Sequence, residues 1–170
     1  MEGFIKISPE ELGNSIEQIG KTWMLITVAD KENKRANAMT ASWGAMGVLW
    51  NKNICICFVR PQRHTYSLLQ SENELSIAFL GEEHRGAHAI CGRESGRDSD
   101  KLERCGLTVS QIGGVPVINE AQTLLICKKL YEDDLRKDRF LESELLANYK
   151  LEDYHRFYVC EIKEVYKKGE

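Results

Sequence analysis

The sequence predicts a mainly β protein, an antiparallel barrel or sandwich with a few added helices. Short apolar segments recur along the chain between polar or glycine-containing turns, a pattern that is typical of strands. Helical segments do not alternate regularly with the strands, so the pattern does not favour a parallel sheet. The sequence also contains no G-x-G-x-x-G and no P-loop, which leaves the common dinucleotide and nucleotide folds without support.

Strands are predicted where apolar, β-branched and aromatic residues cluster over a short length. They cover residues 21–30, 53–59, 74–80, 123–133 and 156–166. The polar segment 31–37 is predicted to be a hairpin loop. A turn at Gly113 and Gly114 is expected to lead into an extended segment that ends at residue 118.

Helices are predicted after Pro61, over residues 82–91, and in a small segment that begins near Asp100. For that small helix, Asp100 and Glu103 have capping-box-like spacing, and Gly106 is placed to terminate it. Residues 139–150 form the most amphipathic helical pattern, because three leucines share one stripe. These are Leu141, Leu145 and Leu146.

Composition places the chain among ordinary globular proteins, and one domain is predicted for residues 1–170. The net charge of −3 argues against a nucleic-acid partner and against an anionic membrane surface. No apolar run approaches the roughly 20 residues that span a bilayer. The segment MEGFIKISPEELG lacks the basic and apolar regions of a signal peptide, so a cytoplasmic protein is expected.

Six cysteines are present, and free thiols are expected in a reducing compartment. Cys55 and Cys57 are two residues apart in a predicted strand, so their side chains point to the same face. They are interpreted as small buried hydrophobes, and a metal or redox site is the alternative. No further cysteine pair stands at zinc-ligand spacing, and no metal site is predicted.

The segment NAMTASWGAMGVLW, residues 37–50, combines a strand-like pattern with unusually many small residues. Small residues in a strand leave space and weaken packing, so their presence indicates that something approaches the backbone closely. Either a ligand or a neighbouring strand satisfies that requirement. The hydroxyls of Thr40 and Ser42 add polar groups suited to a ligand.

A second segment, VRPQRHTYS, gathers basic and hydroxylated side chains between a strand and a helix start. Arginine can hold a phosphate through two parallel hydrogen bonds, and hydroxyls add further polar contacts. Arg85, Arg93 and Arg97 form another basic group that is suited to a second anionic molecule. Solvation or pairing with surface carboxylates is the alternative for all of these arginines. The sequence shows no convincing nucleophile, since G-x-S-x-G is absent.

The order of these features resembles the flavin reductase-like, FMN-binding split-barrel family, which includes flavoredoxins and small flavin reductase components. The resemblance runs through NAMTASWGAMG, the apolar strand ending at Arg60, RHTYSLL and LSIAFL. It continues through SGRDSDKLERCGLT and ends at DYHRFYVCEI, covering roughly residues 15–166. Asp153-Tyr154-His155 stands where G-D-H is common in the family. The chain also carries extra residues at about 133–150, which suggest a lid or a dimer contact.

The resemblance implies a six-stranded antiparallel split β-barrel that forms a homodimer, with FMN in a cleft near the subunit interface. Ala38 to Trp43 would run along the flavin, Arg60 to Ser67 would meet its ribityl chain and phosphate, and Phe79 and Leu80 would border the ring. His155 matches a late histidine near the flavin or the nicotinamide. The residues expected to bind the cofactor are Asn37, Ala38, Met39, Thr40, Ala41, Ser42, Trp43, Arg60, His64, Thr65, Ser67, Phe79 and Leu80.

The function implied by the resemblance is that of an FMN-dependent flavin reductase or a flavoredoxin-type electron carrier. NADH or NADPH is the expected electron donor, and a redox partner protein is a further expectation. Because the flavin carries the redox chemistry, the protein needs no acid–base pair, and His155 is the one catalytic candidate. The alternative is a flavin-binding carrier or storage module without turnover. The choice between FMN and FAD is left open by the sequence.

Overall fold

The computed structural model describes residues 3–169. Within them the strands are β1 (Phe4–Ile7), β2 (Met24–Asp30), β3 (Arg35–Ala41), β4 (Gly44–Leu49), β5 (Lys52–Val59), β6 (Glu74–Leu80), β7 (Val109–Ile112), β8 (Val115–Ile118), β9 (Ala121–Asp134) and β10 (Arg156–Lys168). The α-helices are α1 (Ser15–Glu17), α2 (His64–Leu69), α3 (Arg85–Arg93) and α4 (Lys101–Arg104). A π-helical turn covers Gln18–Thr22, and 3-10 turns cover Pro9–Leu12, Glu82–His84, Lys137–Arg139 and Ser143–Tyr149.

One antiparallel sheet has the order β3-β2-β6-β9-β10-β5-β4, and β1 also pairs with β10. The outer strands of that order, β3 and β4, follow each other in sequence and are joined only by Ser42 and Trp43. Two residues span at most roughly 10 Å, so the opposite edges of the sheet must meet and the sheet rolls into a barrel. Among residues 3–169 no ladder pairs β3 with β4, and the barrel is therefore split along this line, which we call the seam.

The predicted fold class is thus confirmed as an antiparallel split barrel with added helices. The expected strand count of six is wrong, because eight strands join the main sheet and β7 and β8 form a separate pair. The segment 37–50 accounts for part of the difference, since it bends at Ser42 and Trp43 and contributes to two strands instead of one. The strand prediction for residues 74–80 matches β6 in full.

Two hydrophobic cores lie on the two faces of the rolled sheet, as the two-residue period of strands requires. On β2, Met24, Ile26 and Val28 face the barrel interior, whereas Leu25 belongs to the second core. The second core is covered by α3, α4 and the β7–β8 pair. Burial on both faces explains why residues 21–30 showed no alternation of apolar and polar residues.

The prediction of an amphipathic helix over residues 139–150 is wrong. This stretch contains 3-10 turns, and Leu141 is 97% exposed and Leu145 46% exposed. The leucine stripe has no apolar surface to pack against, so it does not fix a helix. Aromatic contacts hold the segment instead, since Tyr149 stacks on Tyr154 with ring centroids 4.9 Å apart and Phe140 lies 5.6 Å from Tyr149. We call residues 135–154 the strap.

No helix within residues 3–169 is long and apolar enough to cross a membrane.

Candidate functional site

Close packing of β4 explains one of the small residues in the pattern at residues 37–50. A Cβ atom at Gly44 would lie 2.7 Å from the carbonyl oxygen of Ile56 and 2.9 Å from Met24 Cε, so β4 can pack here only with glycine. At Gly47, three residues along the same strand, nothing lies within 4 Å of such a Cβ. The neighbouring strand β5 therefore explains the glycine at position 44. It does not explain the small residues that precede Gly44.

Those earlier residues line a cavity of about 210 Å³, which we call cavity A. Its lining consists of Met39, Thr40, Ala41, Ser42, Trp43, Phe58, Arg60, Arg63 and His155. One wall is the end of β3 with the corner at Ser42 and Trp43, and aromatic rings form much of the rest. Trp43 is 44% exposed, and its ring centroid lies 5.2 Å from that of His155.

The side chain of His155 is buried against the strap. Its Nδ1 lies 2.9 Å from the hydroxyl oxygen of Tyr149, and its ring meets Phe58 edge to face at 6.2 Å. Burial, together with the positive charge of Arg60, lowers the pKa of His155 to about 4. The imidazole is therefore neutral at physiological pH, and it presents a polar group inside an otherwise aromatic wall.

The strap is also held by Arg60, at the end of β5. Its guanidinium pairs with Asp153 at 2.5 Å, donates to the carbonyl of Asn148 at 3.0 Å, and lies over the ring of Tyr149. Burial raises the pKa of Asp153, but hydrogen bonds from Arg60 and Gln62 outweigh that effect and place the pKa below its usual value. The charge of Arg60 is therefore compensated within the protein.

A second cavity, cavity B, has a volume of about 250 Å³ and adjoins cavity A, since Arg60 and Arg63 line both. Its lining consists of Arg60, Gln62, Arg63, His64, Thr65, Arg93, Glu94, Ser95, Gly96 and Lys101. Of these described residues Glu94 alone is acidic, and its carboxylate pairs with Arg104 at 2.5 Å. Cavity B is therefore strongly basic and suits an anion.

The cations of cavity B are anchored to main-chain carbonyls at the end of α3. Arg63 donates to the carbonyls of Cys91, at 2.6 Å, and Gly92. Lys101 is buried and donates to the carbonyls of Cys91, at 3.4 Å, and Glu94, at 3.1 Å. These acceptors are neutral dipoles at a helix C-terminus, where cations are favoured, so they orient the two charges without cancelling them. Burial lowers the pKa of both side chains.

Asn37 and Gly96 connect β3 with the wall of cavity B. The Nδ2 of Asn37 donates to the hydroxyl of Thr65 at 2.8 Å, while its buried Oδ1 has no hydrogen-bond partner among the described residues. A Cβ at Gly96 would collide with that same Oδ1 and lie 3.3 Å from His64 Cδ2. The backbone of the loop is therefore pressed against Asn37 and His64, which requires glycine.

The structure brings most of the sequence-predicted residues to these two cavities but leaves some outside them. Ala38, Phe79 and Leu80 are buried in the hydrophobic cores and line neither cavity. Ser67 is exposed, and its hydroxyl donates to the carbonyl of His64 at 2.7 Å. His64 itself lies at the edge of cavity B, with Nε2 3.3 Å from the carboxylate of Asp30.

The second basic group predicted from the sequence does not form a separate site. Arg93 joins cavity B, whereas Arg85 pairs with Glu82 at 2.9 Å and Arg97 donates to the carbonyl of Gln62 at 3.3 Å. Sequence reasoning missed Lys101, which stands in an ordinary capping segment and is recruited only because α4 packs against the end of α3. Phe58 gave no signal beyond its place in an apolar strand.

The profile of the family described as flavin reductase like domain matches residues 16–170. No curated protein matches the sequence significantly.

Solved structures of similar fold include an FMN-binding domain of a flavin reductases-like enzyme from Shewanella baltica OS155. It is 14% identical with a TM-score of 0.68, and the match covers 97% of this chain and 77% of that one. Flavoredoxin from Methanosarcina acetivorans is 21% identical with a TM-score of 0.66, covering 86% and 68%. An NADH:FAD oxidoreductase from Streptomyces globisporus C-1027, in complex with NAD and FAD fragments, is 14% identical with a TM-score of 0.64, covering 86% and 74%.

Proposed function

Because the chain belongs to the flavin reductase like domain family, we propose that cavities A and B together bind FMN. The observation that carries this proposal is that an aromatic cavity adjoins a basic one, with Arg60 and Arg63 lining both. FMN has the same division, with a planar ring at one end and a phosphate at the other. An FMN-binding domain among the proteins of similar fold supports the choice.

The residues that would hold the phosphate are Arg63, Arg93 and Lys101 in cavity B, with Thr65 as a hydroxyl partner. The ring would be held by the end of β3 and the corner after it, Met39 to Trp43, where the small side chains of Thr40, Ala41 and Ser42 leave room for it. Asn37 lines neither cavity but supports the site, because its amide donates to the hydroxyl of Thr65 and its buried Oδ1 lies against the backbone at Gly96. The residues present therefore fit the cofactor at both ends.

We propose further that the protein is an NADH- or NADPH-dependent flavin reductase or a flavoredoxin-type electron carrier. When bound, FMN supplies the hydride and electron chemistry. The chain contributes the neutral imidazole of His155, which can form a hydrogen bond in cavity A without adding charge. A protein of similar fold is described as an NADH:FAD oxidoreductase bound to NAD and FAD fragments, which supports a nicotinamide donor.

The proposed assembly is a homodimer that uses the outer face of β4. Val48 is 72% exposed and Trp50, in the turn after β4, is 56% exposed, which is unusual for large apolar side chains grouped at a sheet edge. Sedimentation at micromolar concentration should give twice the mass of one chain. Val48→Asp should yield the monomer, whereas a monomeric wild type would contradict this part of the proposal.

The decisive experiment is a titration of the flavin-free protein with FMN and with riboflavin, followed by visible absorbance and flavin fluorescence. FMN should bind at least about 30-fold more tightly than riboflavin, because only FMN carries the phosphate. Equal affinities would contradict binding of phosphate in cavity B, and no binding of either flavin would contradict the proposal as a whole.

Anaerobic addition of NADH and then NADPH to the FMN complex tests the reaction. A reductase should lose its flavin absorbance near 450 nm with at least one of the two donors. Bound FMN that stays oxidised with both donors, but is reduced by dithionite, would contradict the reductase and leave the carrier or electron-transfer alternatives.

A further inference from the structure

The cysteines of this chain occupy two different environments. Cys55, Cys57, Cys127 and Cys160 are fully buried in the barrel core. The other two cysteines lie outside the barrel, Cys91 on α3 and Cys105 directly after α4. Within residues 3–169 no group of three or more histidine, cysteine or acidic side chains could hold a metal ion. The cysteines must therefore be considered for their own chemistry.

Cys91 and Cys105 face each other with their Sγ atoms 3.9 Å apart. A disulfide requires about 2.05 Å, so the two sulfur atoms must come closer by about 2 Å to bond. Cys105 is only half-buried, so an oxidant can reach it from solvent. Cys91, which lies next to it, is buried. Redox-sensitive cysteines often place one accessible thiol beside a resolving thiol, and they usually also have a lowered pKa. Here burial raises the pKa of both thiols, so the pair rests on its geometry and is expected to react slowly.

We propose that Cys91 and Cys105 are a redox-sensitive pair that forms an intramolecular disulfide when the protein meets hydrogen peroxide. The Cys105 sulfur attacks one peroxide oxygen, the O–O bond breaks, and a sulfenic acid and one water are formed. The Cys91 sulfur then attacks the sulfenic sulfur, the S–O bond breaks, and a second water leaves. Two thiols are thereby oxidised by two electrons, and hydrogen peroxide is reduced to two waters.

The position of this pair links it to cavity B. The disulfide would close the loop 91–105, which carries Arg93, Glu94, Ser95, Gly96 and Lys101 of the cavity wall. The carbonyl of Cys91 also accepts hydrogen bonds from both Arg63 and Lys101. Oxidation therefore takes place directly behind the groups that orient the basic side chains.

The test begins with reduced, desalted protein that is treated with hydrogen peroxide, blocked with N-ethylmaleimide under denaturing conditions, and cleaved after glutamate. Such cleavage places Cys91 alone in peptide 84–94 and Cys105 alone in peptide 104–120, separate from Cys127. The expected product is these two peptides joined, with a mass 2 Da below their sum. Four thiols per chain should remain available to the blocking reagent, and dithiothreitol should restore six.

The rate of this oxidation should rise with pH between pH 7 and 8.5. Burial raises the pKa of Cys91 to about 12 and also raises the pKa of Cys105, so the thiolate fraction is small and grows in proportion to hydroxide.

Cys105→Ser is the matched variant, since a hydroxyl at this half-exposed position keeps the size of the side chain. It should keep its remaining five thiols under the same peroxide treatment, without the joined peptide. The proposal is overturned if wild type retains all six thiols, if the joined peptide links two chains, or if a core cysteine is found in the bridge. None of these readouts depends on bound flavin, so the result stands apart from the proposed function.

Discussion

Cavities A and B adjoin each other but are built in different ways. Cavity A is lined by parts that are far apart in sequence, namely the end of β3, Phe58 on β5 and His155 before β10. Cavity B is lined by two short segments, residues 60–65 and 93–101. The shape of cavity A therefore depends on closure of the barrel, whereas cavity B depends on hydrogen bonds between two neighbouring segments.

The two cavities also differ in how the positive charges of their lining residues are balanced. Arg60, at their boundary, is neutralised by Asp153, whereas Arg63 and Lys101 are held by neutral carbonyls. A cation held by a carbonyl keeps its full charge for a ligand. Affinity for a phosphate should therefore come from cavity B, and the fit of the ring should come from cavity A and the strap.

The largest effect is expected for Arg63→Met. This change keeps most of the side-chain volume but removes the charge, and we expect FMN affinity to fall by about 30- to 100-fold, or about 2–3 kcal/mol. Riboflavin affinity should change little, because riboflavin lacks the phosphate. Fluorescence titration of both flavins measures the difference.

Arg85→Met is the control for this change, because Arg85 is exposed, pairs with Glu82 and lines neither cavity. Its FMN affinity should remain within about twofold of wild type. Equal losses in the two variants would show that general positive charge, and not the anchored guanidinium, attracts the phosphate. Thermal unfolding of both variants verifies that each is folded.

The next effect tests the close packing of β4. Gly44→Ala forces a methyl group against the carbonyl of Ile56, and we expect the free energy of unfolding to fall by about 1–3 kcal/mol. Gly47→Ala on the same strand meets nothing within 4 Å and should change the stability by less than about 0.5 kcal/mol. Urea unfolding of the two variants measures the contrast, and similar stabilities would refute the close packing at Gly44.

A third effect concerns pH. The pKa of His155 is about 4 in the folded protein against an ordinary 6.5, so the unfolded chain takes up a proton first as the pH falls. Its contribution to stability is therefore present above pH 6.5 and is lost between pH 6.5 and 4. Between pH 7 and pH 5 this loss should amount to about 1–2 kcal/mol. His155→Asn should show a correspondingly flatter pH dependence in urea unfolding, and an unchanged slope would contradict the assignment.

The smallest effect is expected for Asp153→Asn, which frees Arg60 from its ion pair. The pair is partly exposed, so stability should fall by less than about 1 kcal/mol. FMN should bind two- to fivefold more tightly, because Arg60 becomes available to the ligand. Glu152→Gln removes an exposed ion pair with Lys137 and serves as the control, and it should leave FMN affinity unchanged. Weaker FMN binding in Asp153→Asn would mean that the strap supports cavity A more than it restrains Arg60.

The strands could be predicted from the sequence because apolar residues are concentrated in them whether one face or both are buried. The capping of α4 was equally local, and Asp100 accepts hydrogen bonds from the backbone of Leu102 and Glu103 as its spacing predicted. The helix prediction for residues 139–150 was wrong because a local pattern was not sufficient there. Their leucine stripe is a property of the segment alone, whereas a stable helix also needs a surface to cover.

The candidate site was predictable only in part. The β3 segment and residues 60–65 could be identified because small, hydroxylated or basic residues are concentrated next to a strand end. Lys101 could not be found in this way, because its position depends on packing between α3 and α4. Phe79 and Leu80 differ from Lys101, because the family resemblance implied that they border the ligand. The structure places Phe79 in one hydrophobic core and Leu80 in the other.

The order of strands also has a consequence for the synthesis of the protein. The hairpins β2–β3 and β4–β5 are joined at the corner, and both are translated before β10. In the sheet they belong to opposite halves, and β10 is the strand that pairs with both halves, through β9 and β5. A nascent chain that lacks β10 already holds the corner, the basic segments and the strap, yet it has no closed barrel and no cavity A. Cavity A must therefore form after β10 has been translated and released, and a truncation within β10 should abolish the proposed ring binding even though every residue from Met39 to Trp43 is present.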